Sequence, residues 1–445
     1  MSEVYCSRGW NVDNLSSCTA SCYVLGVIVR AMHLVSVSRR HASSTKRASS
    51  LLPSVSPGRT LNKSPITTVL ATDDHAESLA TFYREAWSAK DAGGEKVLAA
   101  RCLAARRNIA FPGTSPPTAI ALEGGRVVAH CTTVPDRFLL FGEERPGYWT
   151  KGLMVLPEHR NGPLGFAVLR TLVSQLPNSA AMVVSRPARR LFSALGFHDL
   201  GPIPNFIRPI RPANVLARLS LDGLGLEGLP KWVRAAARIA STPGIRPFVS
   251  LALKVWLRTS LRLATGMRPA ANRTLTYGLP MPEDMDSLWA KAKEEVQAAP
   301  VKDSRYFRAR YEGPAGSSYT VVAGYDPHGL SGLATVRWPS EQGDPRLNGI
   351  RIATLSDGIT APIGRAGLVA LLTAAISAAD AAGADALLAT CGHSRMTQAL
   401  VACGFRRLPG NVHFLVRFAG VNPIDYPPQS EWWLGRGDGD ADGVF

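Results

Sequence analysis

Two short segments of the chain, Gly196-Phe197-His198-Asp199-Leu200 and Gly404-Phe405-Arg406-Arg407-Leu408, open with the same Gly-Phe pair and lie more than two hundred positions apart. Each follows a helical segment that carries arginine, and each helical segment follows a short apolar run. The helical segments cover residues 186–195 and 395–403, and the apolar runs cover residues 181–184 and 386–389. The order strand, helix, Gly-Phe, strand, strand therefore occurs twice. Because solenoid units repeat every few tens of residues, this spacing predicts a duplicated α/β domain in tandem.

Ahead of the first Gly-Phe pair, an apolar strand leads into a glycine-bearing turn and then a helix. The strand is predicted over residues 148–155, the turn over residues 156–166 and the helix over residues 167–176. Such a turn presents several free backbone N–H groups beside the positive end of a helix, which suits a phosphate or pyrophosphate. Glycine lets the backbone come close to a ligand, and Pro163 suits a helix start. The first repeat is therefore predicted to hold a phosphate group.

This order of elements resembles the GNAT acyltransferase superfamily, whose signature Arg/Gln-x-x-Gly-x-Gly/Ala grips the pyrophosphate of acyl-CoA. The window Arg160-Asn161-Gly162-Pro163-Leu164-Gly165 matches it at Arg160 and Gly165 and departs from it at Pro163. The resemblance covers roughly residues 66–418 and extends to bacterial proteins with two tandem GNAT folds. It implies an α/β (α+β) class with two GNAT-like domains, each a mixed, mostly antiparallel sheet flanked by helices, joined by a helical linker.

The resemblance also implies where acetyl-CoA or another acyl-CoA would bind. Backbone groups of the strand would hold the pantetheine arm, and one N–H would polarise the thioester carbonyl. The turn would hold the pyrophosphate, and Ser185 would contact CoA or cap its helix. The implied residues are Leu153, Met154, Val155, Arg160, Asn161, Gly162, Pro163, Leu164, Gly165, Phe166 and Ser185. No metal is implied.

The catalytic groups are not assigned by the sequence. Where the family often has a tyrosine that protonates the departing thiolate, this chain has Phe192. Attack by an amine needs its neutral form, so a nearby carboxylate or imidazole would help. The candidates for that role are His130, Glu143, Glu144, Glu158 and His159, and nothing in the sequence selects one.

The second repeat keeps the fold pattern but lacks the phosphate signature. Residues 356–367 contain no Arg-x-x-Gly-x-Gly, and the carboxylate of Asp357 would repel a phosphate. Leu400 stands at the tyrosine position. The second repeat is therefore predicted to be a degenerate domain that supports structure or lines a substrate cleft, which leaves one acyl-CoA site in the chain.

The predicted organisation has five segments. These are a tail that is disordered or precedes the true start codon (1–64), a first GNAT-like domain (65–211), a basic helical linker (212–273), a degenerate second domain (274–420) and a C-terminal tail (421–445). In the last segment, Trp432 and Trp433 are expected to dock onto a domain.

The net charge of +16 is concentrated outside the two predicted domains. Residues 1–65 hold eight Lys and Arg against two acidic residues, and residues 211–273 hold eleven against two. The domains themselves are nearly neutral, so no nucleic-acid-binding face is expected.

One helix of the basic linker allows two interpretations. Within residues 247–264, Lys254, Arg258 and Arg262 recur every four residues beside apolar positions. Such a helix lies on an anionic membrane surface or joins two domains with one edge in water. The inter-domain helix is the preferred interpretation, and peripheral membrane contact is the alternative.

Seven cysteines are scattered without a CxxC pair or zinc-like spacing, which indicates reduced thiols and a cytoplasmic protein. The leading hypothesis is an acyl-CoA-dependent N-acyltransferase, in the simplest case an acetyltransferase. It would act on the amine of a small molecule or peptide that enters near the cleft between the domains. The alternatives are an aminoacyl- or peptidyl-type transferase of envelope or thiol biosynthesis and a non-catalytic, degenerate GNAT binding protein.

Overall fold

The computed structural model describes residues 65–218, 239–240, 242–265, 274–277, 281–312 and 318–439. The N-terminal tail and most of a helix predicted at residues 231–240 lie outside these ranges. The described residues form a mixed α/β fold in which helices flank one large mixed sheet, and this confirms the predicted class. None of the described helices has the length and apolar character needed to cross a bilayer.

The first repeat contains six strands and four helices within the described residues. The strands are β1 (Ile66–Leu70), β2 (Thr118–Glu123), β3 (Arg126–Leu140), β4 (Glu143–Val155), β5 (Asn178–Met182) and β6 (His198–Pro209). The helices are α1 (Ala76–Trp87), α2 (Gly94–Arg106), α3 (Leu164–Val173) and α4 (Arg186–Ala194). The described part of the predicted linker includes α5 (Pro212–Arg218) and α6 (Arg246–Thr265).

The second repeat follows the same order with one additional short strand, Ala298–Pro300. Its strands are β7 (Thr274–Tyr277), β8 (Ala298–Pro300), β9 (Tyr319–Asp326), β10 (Gly329–Arg337), β11 (Ile352–Thr360), β12 (Ala386–Thr390) and β13 (Arg406–Phe418). Its helices are α7 (Met285–Ala292), α8 (Ser304–Tyr311), α9 (Arg365–Ala381) and α10 (Ser394–Ala402). The elements around the two Gly-Phe pairs therefore correspond one to one.

The Gly-Phe pairs end the helices α4 and α10 in the same way. Gly196 and Gly404 have φ values of +85° and +84°, which glycine adopts without steric cost. The N–H of Phe197 donates to the carbonyl of Phe192 at 3.1 Å, and Phe405 bonds to Leu400 at 3.0 Å. This is the Schellman pattern of a helix C-terminus. The quoted segments thus set where each helix stops and the last strand begins.

The two repeats exchange their last strands, which the prediction of one sheet per repeat did not anticipate. The strand order is β1-β2-β3-β4-β5-β13-β6-β12-β11-β10-β9-β7. Strand β13 of the second repeat thus lies between β5 and β6 of the first, and β6 pairs with β12. Each Gly-Phe pair was predicted to precede two strands. One long strand follows instead, because both of its edges find partners in the sheet.

The boundaries of several elements differ from the prediction, including β4, which begins at Glu143 and not at residue 148. The helix predicted over residues 282–298 is α7, a 3₁₀ turn (Lys293–Glu295) and then β8, which pairs with β3 of the first repeat. Strand β11 runs on to Thr360, so Asp357 lies in a strand and not in a turn. Helix α3 begins at Leu164, three residues early, because Pro163 already has helical dihedral angles.

Aromatic residues of both repeats meet at the exchanged strands. Trp149 of β4 lies 6.0 Å from Phe414 of β13, measured between ring centroids, and Phe414 lies 4.9 Å from Trp432. Trp432 and Trp433 are buried, as expected for docked tryptophans. The C-terminal segment is therefore part of the core, where each large ring contributes about 1.5–3 kcal/mol of burial energy.

Candidate functional site

In the first repeat, β4 and β5 separate just before residues 153–155, the part of β4 that was predicted to hold the pantetheine arm. This part of β4 is the diverging edge. The parallel pairing of β4 with β5 is limited to Tyr148 with Ser179 and Trp149 with Ala180. Beyond it, the register of β4 against β3 shifts by one residue around Gly152, whose φ is +65°. A bulge of this kind bends the strand and redirects its backbone groups. Leu153, Met154 and Val155, which follow, are half-buried.

The N-terminus of α3 lies at the end of this diverging edge. The chain passes from β4 through a 3₁₀ turn (Pro157–His159) to the first helical turn at Leu164, Gly165 and Phe166. No side chain caps this end. The first N–H groups of a helix have no partner within it and carry its positive partial charge. Three of the predicted residues therefore lie in the turn whose N–H groups have no partner within the helix.

Arg160 connects the turn to the strand. Its Nε donates to the carbonyl of Val155 at 3.0 Å, while its side chain is otherwise exposed. Asn161, Gly162 and Pro163 are exposed beside it. The structure thus brings the predicted residues 153–155 and 160–166 together in one place.

Neither glycine of the turn is required by packing within the protein. A Cβ built on Gly165 would lie 3.6 Å from Val155, an ordinary contact, and one built on Gly162 would meet only a carbonyl at 3.8 Å. Both positions lack the positive φ that favours glycine. Since the protein itself would tolerate a Cβ at both positions, glycine there suits a ligand that approaches the backbone closely.

Ser185 and Phe192 are explained by local structure. The Ser185 hydroxyl accepts a hydrogen bond from the N–H of Ala188 at 3.5 Å and caps α4. Phe192 is buried and packs edge-on against Phe197 at 4.9 Å. This contact is the apolar pair that often accompanies a Schellman C-terminus. Phe192 cannot supply the hydroxyl that the resemblance implies at its position.

A cavity of about 700 Å³ lies between α1, α2 and the start of β2. Its volume is in the range of small-molecule sites. The wall includes Tyr83 from α1 and Thr132 and Thr133 from β3, one strand away from β4. Lys90 and Lys96 stand at its edge. All of the lining residues come from the first repeat, whereas the acceptor was expected between the repeats.

A hydrogen-bond chain links this cavity to the diverging edge. The hydroxyl of Tyr83 lies 3.2 Å from Nε2 of His130, and Nδ1 of His130 lies 3.1 Å from the carbonyl of Gly152. Burial lowers the pKa of His130 to about 4, so the ring is neutral near pH 7. In that form Nδ1–H donates to Gly152, and Nε2 accepts from Tyr83. The sequence offered His130 as one of five possible bases and gave no sign of its contact with Tyr83.

The other candidate bases contact charged or ionisable side chains. Glu158 pairs with Arg126 at 3.2 Å, and His159 lies 3.4 Å from Glu123. Glu143 and Glu144 begin β4 and therefore lie at the opposite end of that strand from Val155. Their geometry gives them no place beside the diverging edge.

In the second repeat, the C-terminal segment lies where the corresponding strands diverge. The pairing of β11 with β12 ends at Leu355 and Ala389. Beyond it, Gly437 donates its N–H to the carbonyl of Ser356 at 2.7 Å, and the Trp433 indole donates to the carbonyl of Gly358 at 2.8 Å. The remaining cavity measures only about 20 Å³. This edge is thus occupied by the chain itself.

A buried group of polar side chains holds this segment in place. Nζ of Lys302 lies 2.6 Å from Asp357 and 2.8 Å from the hydroxyl of Tyr306, and it also pairs with Asp438. Burial alone would lower the pKa of Lys302, but the charges of Asp357 and Asp438 outweigh it and raise that pKa. Lys302 is therefore charged. Asp357, expected to repel a phosphate, is instead a partner of this lysine.

Replacement of Gly437 by alanine is expected to lower the free energy of unfolding by about 1–3 kcal/mol, the usual range for overpacking a core. A Cβ there would lie 2.0 Å from the Tyr311 hydroxyl and 2.6 Å from Asp357. Urea denaturation measures the change. Gly244→Ala is the control, because Gly244 has open space around it and no positive φ. Equal stability of the Gly437 and Gly244 variants would contradict the packing described here.

No protein-family model and no curated protein matches the chain. Among solved structures, it is similar to a GCN5-related N-acetyltransferase from Kribbella flavida (12% identity, 81% of this chain and 72% of that chain, TM-score 0.46). A probable N-acyltransferase from Enterococcus faecalis shares 8% identity over 80% of this chain and 72% of that chain, with a TM-score of 0.49. Saccharomyces cerevisiae N-myristoyltransferase with bound myristoyl-CoA shares 13% over 89% of this chain and 94% of that chain, with a TM-score of 0.47. Similarities at this level assign neither an activity nor a substrate to the chain.

Proposed function

We propose that the protein is an acyl-CoA-dependent N-acyltransferase with one acyl-CoA site, in the first repeat. The proposal rests on one observation: the diverging edge of β4, the side chain of Arg160 and the uncapped N-terminus of α3 lie together. A pantetheine arm pairs with such an edge as an added strand would. A pyrophosphate suits the arginine and the helix N-terminus.

The difference between the repeats supports a single site. In the second repeat, the equivalent edge bonds to Trp433 and Gly437. Acyl-CoA would have to displace a segment that is buried and tied to Lys302. We therefore expect one acyl-CoA for each chain.

The acceptor is a small-molecule or peptide amine, which we place in the cavity beside Tyr83. Its nitrogen attacks the thioester carbonyl, whose developing negative charge is stabilised by an N–H of the Leu153–Val155 edge. The tetrahedral intermediate then breaks its C–S bond, and the departing thiolate of CoA takes up, through water, the proton that the acceptor nitrogen loses. Neutral His130 keeps the Tyr83 hydroxyl oriented, and the contact of His130 with Gly152 connects Tyr83 to that strand.

The presence of Phe192 favours a second candidate function, in which the protein binds acyl-CoA without transferring the acyl group. Its ring lies against Phe197, and it offers no proton for a departing thiolate. Release of free CoA thiol from acetyl-CoA in the presence of primary amines separates the two candidates. Binding without amine-dependent thiol release would favour the second.

Calorimetric titration with acetyl-CoA tests the binding site. The wild type is expected to bind one acetyl-CoA, and Gly165→Glu is expected to weaken binding at least about tenfold. The new carboxylate would occupy the space over the helix N-terminus and repel the pyrophosphate, at a cost of more than about 1.4 kcal/mol. Arg160→Ala is expected to weaken binding in the same direction.

Ala366→Glu provides the matched control. Ala366 is exposed in the first turn of α9, the position that corresponds to Gly165 in α3. This variant is expected to bind acetyl-CoA like the wild type. If the wild type binds neither acetyl-CoA nor a longer acyl-CoA, the proposed function is wrong. If Ala366→Glu abolishes binding and Gly165→Glu does not, the site lies in the second repeat.

A further inference from the structure

Helix α6 exposes an unusual amount of apolar surface. The exposed fractions of Phe248, Leu251, Val255 and Leu263 are 74%, 62%, 55% and 72%. At 100° per residue, these positions fall within one half of the helix circumference. Single exposed apolar residues are normal on a protein surface, but a row of them on one element marks a contact site.

Other residues of α6 attach the helix to the rest of the fold. Val249 and Leu257 are buried, and the guanidinium of Arg406 lies 4.4 Å from the centre of the Trp256 ring. Arg208 of β6 donates to the carbonyl of Leu257 at 3.5 Å. The helix is therefore held along its inner side, and its apolar row faces outward.

A row of positive charge borders the apolar row. Lys254, Arg258 and Arg262 are exposed on the same half of the helix, along one flank of the apolar residues. Arg246–Thr265 contains four basic residues and no acidic residue. A helix with Phe and Leu on one side and Lys and Arg beside them fits the boundary between the headgroups and acyl chains of an anionic bilayer.

We propose that α6 docks flat on an anionic membrane surface, with Phe248, Leu251 and Val255 inserted and Lys254, Arg258 and Arg262 among the headgroups. The simpler interpretation of the sequence was an inter-domain helix with one edge in water. Such an edge would carry polar residues, whereas the structure exposes these apolar residues there. A second copy of the chain fits poorly, because a symmetric contact through this face would bring its lysine and arginines against their own counterparts.

Co-sedimentation of the full chain with phosphatidylcholine vesicles, with and without phosphatidylglycerol, tests the proposal. The wild type is expected to bind only the vesicles that contain phosphatidylglycerol, and less at high salt. Substitution of Lys254, Arg258 and Arg262 by glutamine is expected to weaken binding roughly a hundredfold, since each basic residue near an anionic surface contributes about 1 kcal/mol. Phe248→Ser with Leu251→Ser is expected to weaken it by at least about tenfold.

Ile424→Ser is the matched control, because Ile424 is 85% exposed and lies outside α6. It is expected to bind like the wild type, and circular dichroism checks that all variants are folded. Binding that is unchanged by both sets of α6 substitutions would place the contact elsewhere and overturn the proposal. Failure to bind phosphatidylglycerol vesicles would overturn it too, as would a dimer in sedimentation equilibrium that the α6 substitutions dissociate.

Discussion

Replacement of Lys302 by methionine is expected to lower the free energy of unfolding by about 3–5 kcal/mol. Methionine keeps the length of the side chain but removes the charge that lies between Asp357 and Asp438. Both carboxylates are almost wholly buried, so they would remain close to each other without the ammonium group that now lies between them. Urea denaturation followed by tryptophan fluorescence measures the loss.

Two further variants separate this effect from a general intolerance of the substitution. Lys293→Met changes an exposed lysine whose partner Glu144 is 3.8 Å away, and surface pairs of this kind contribute at most about 1 kcal/mol. Adding Asp438→Asn to Lys302→Met is expected to restore part of the stability, because it removes one of the unpaired charges. If Lys302→Met and Lys293→Met cost the same, the buried pairing described here is wrong.

Wild-type protein is expected to lose about 3 kcal/mol of stability relative to His130→Gln when the pH falls from 7 to 4. The folded-state pKa of His130 is lowered to about 4 by burial, whereas an unfolded chain has the ordinary value near 6.5. Between these values the unfolded chain binds a proton and the folded chain does not. Stability therefore falls with pH through this window. Glutamine does not titrate, and urea denaturation at several pH values gives the difference.

Relative to the Asp136→Asn variant, the wild type is expected to gain stability as the pH falls, which is opposite to the effect at His130. Burial raises the pKa of Asp136 to about 6 in the folded protein, where the Trp149 indole donates to the carboxylate at 2.6 Å. As the pH falls below 6, the folded chain takes up this proton first, so the wild type gains about 3 kcal/mol relative to the variant. Parallel pH profiles for the wild type and both variants would contradict the buried environments of these two residues.

The elements set by local chemistry were predictable from the sequence. The Gly-Phe pairs located the ends of α4 and α10, because a glycine with positive φ and a following aromatic residue form the Schellman pattern within a few residues. The turn ahead of α3 was recognisable for the same reason. Its Arg160 and Gly165 lie within a dozen residues of the strand that they meet.

The remaining features depend on contacts between distant parts of the chain. Tyr83 and His130 are 47 positions apart, and each alone resembles an ordinary core residue. Asp357 was interpreted from its immediate neighbours as an obstacle in a turn, whereas its partner Lys302 is 55 positions away. The strand exchange could not be predicted from the sequences of β6 and β13. Those sequences favour strands but do not specify whether the partner strand belongs to the same repeat or to the other one.

The exchanged strands also constrain how the chain acquires its structure during synthesis. Strand β5 ends at Met182, but the strand that pairs with it begins only at Arg406. At about 5–20 residues per second, a ribosome needs roughly 10–45 s to make the intervening chain. Throughout that time β5 has an open edge of the kind that recruits other strands. The first half therefore leaves the ribosome incomplete, and its sheet closes only after β13 has been translated.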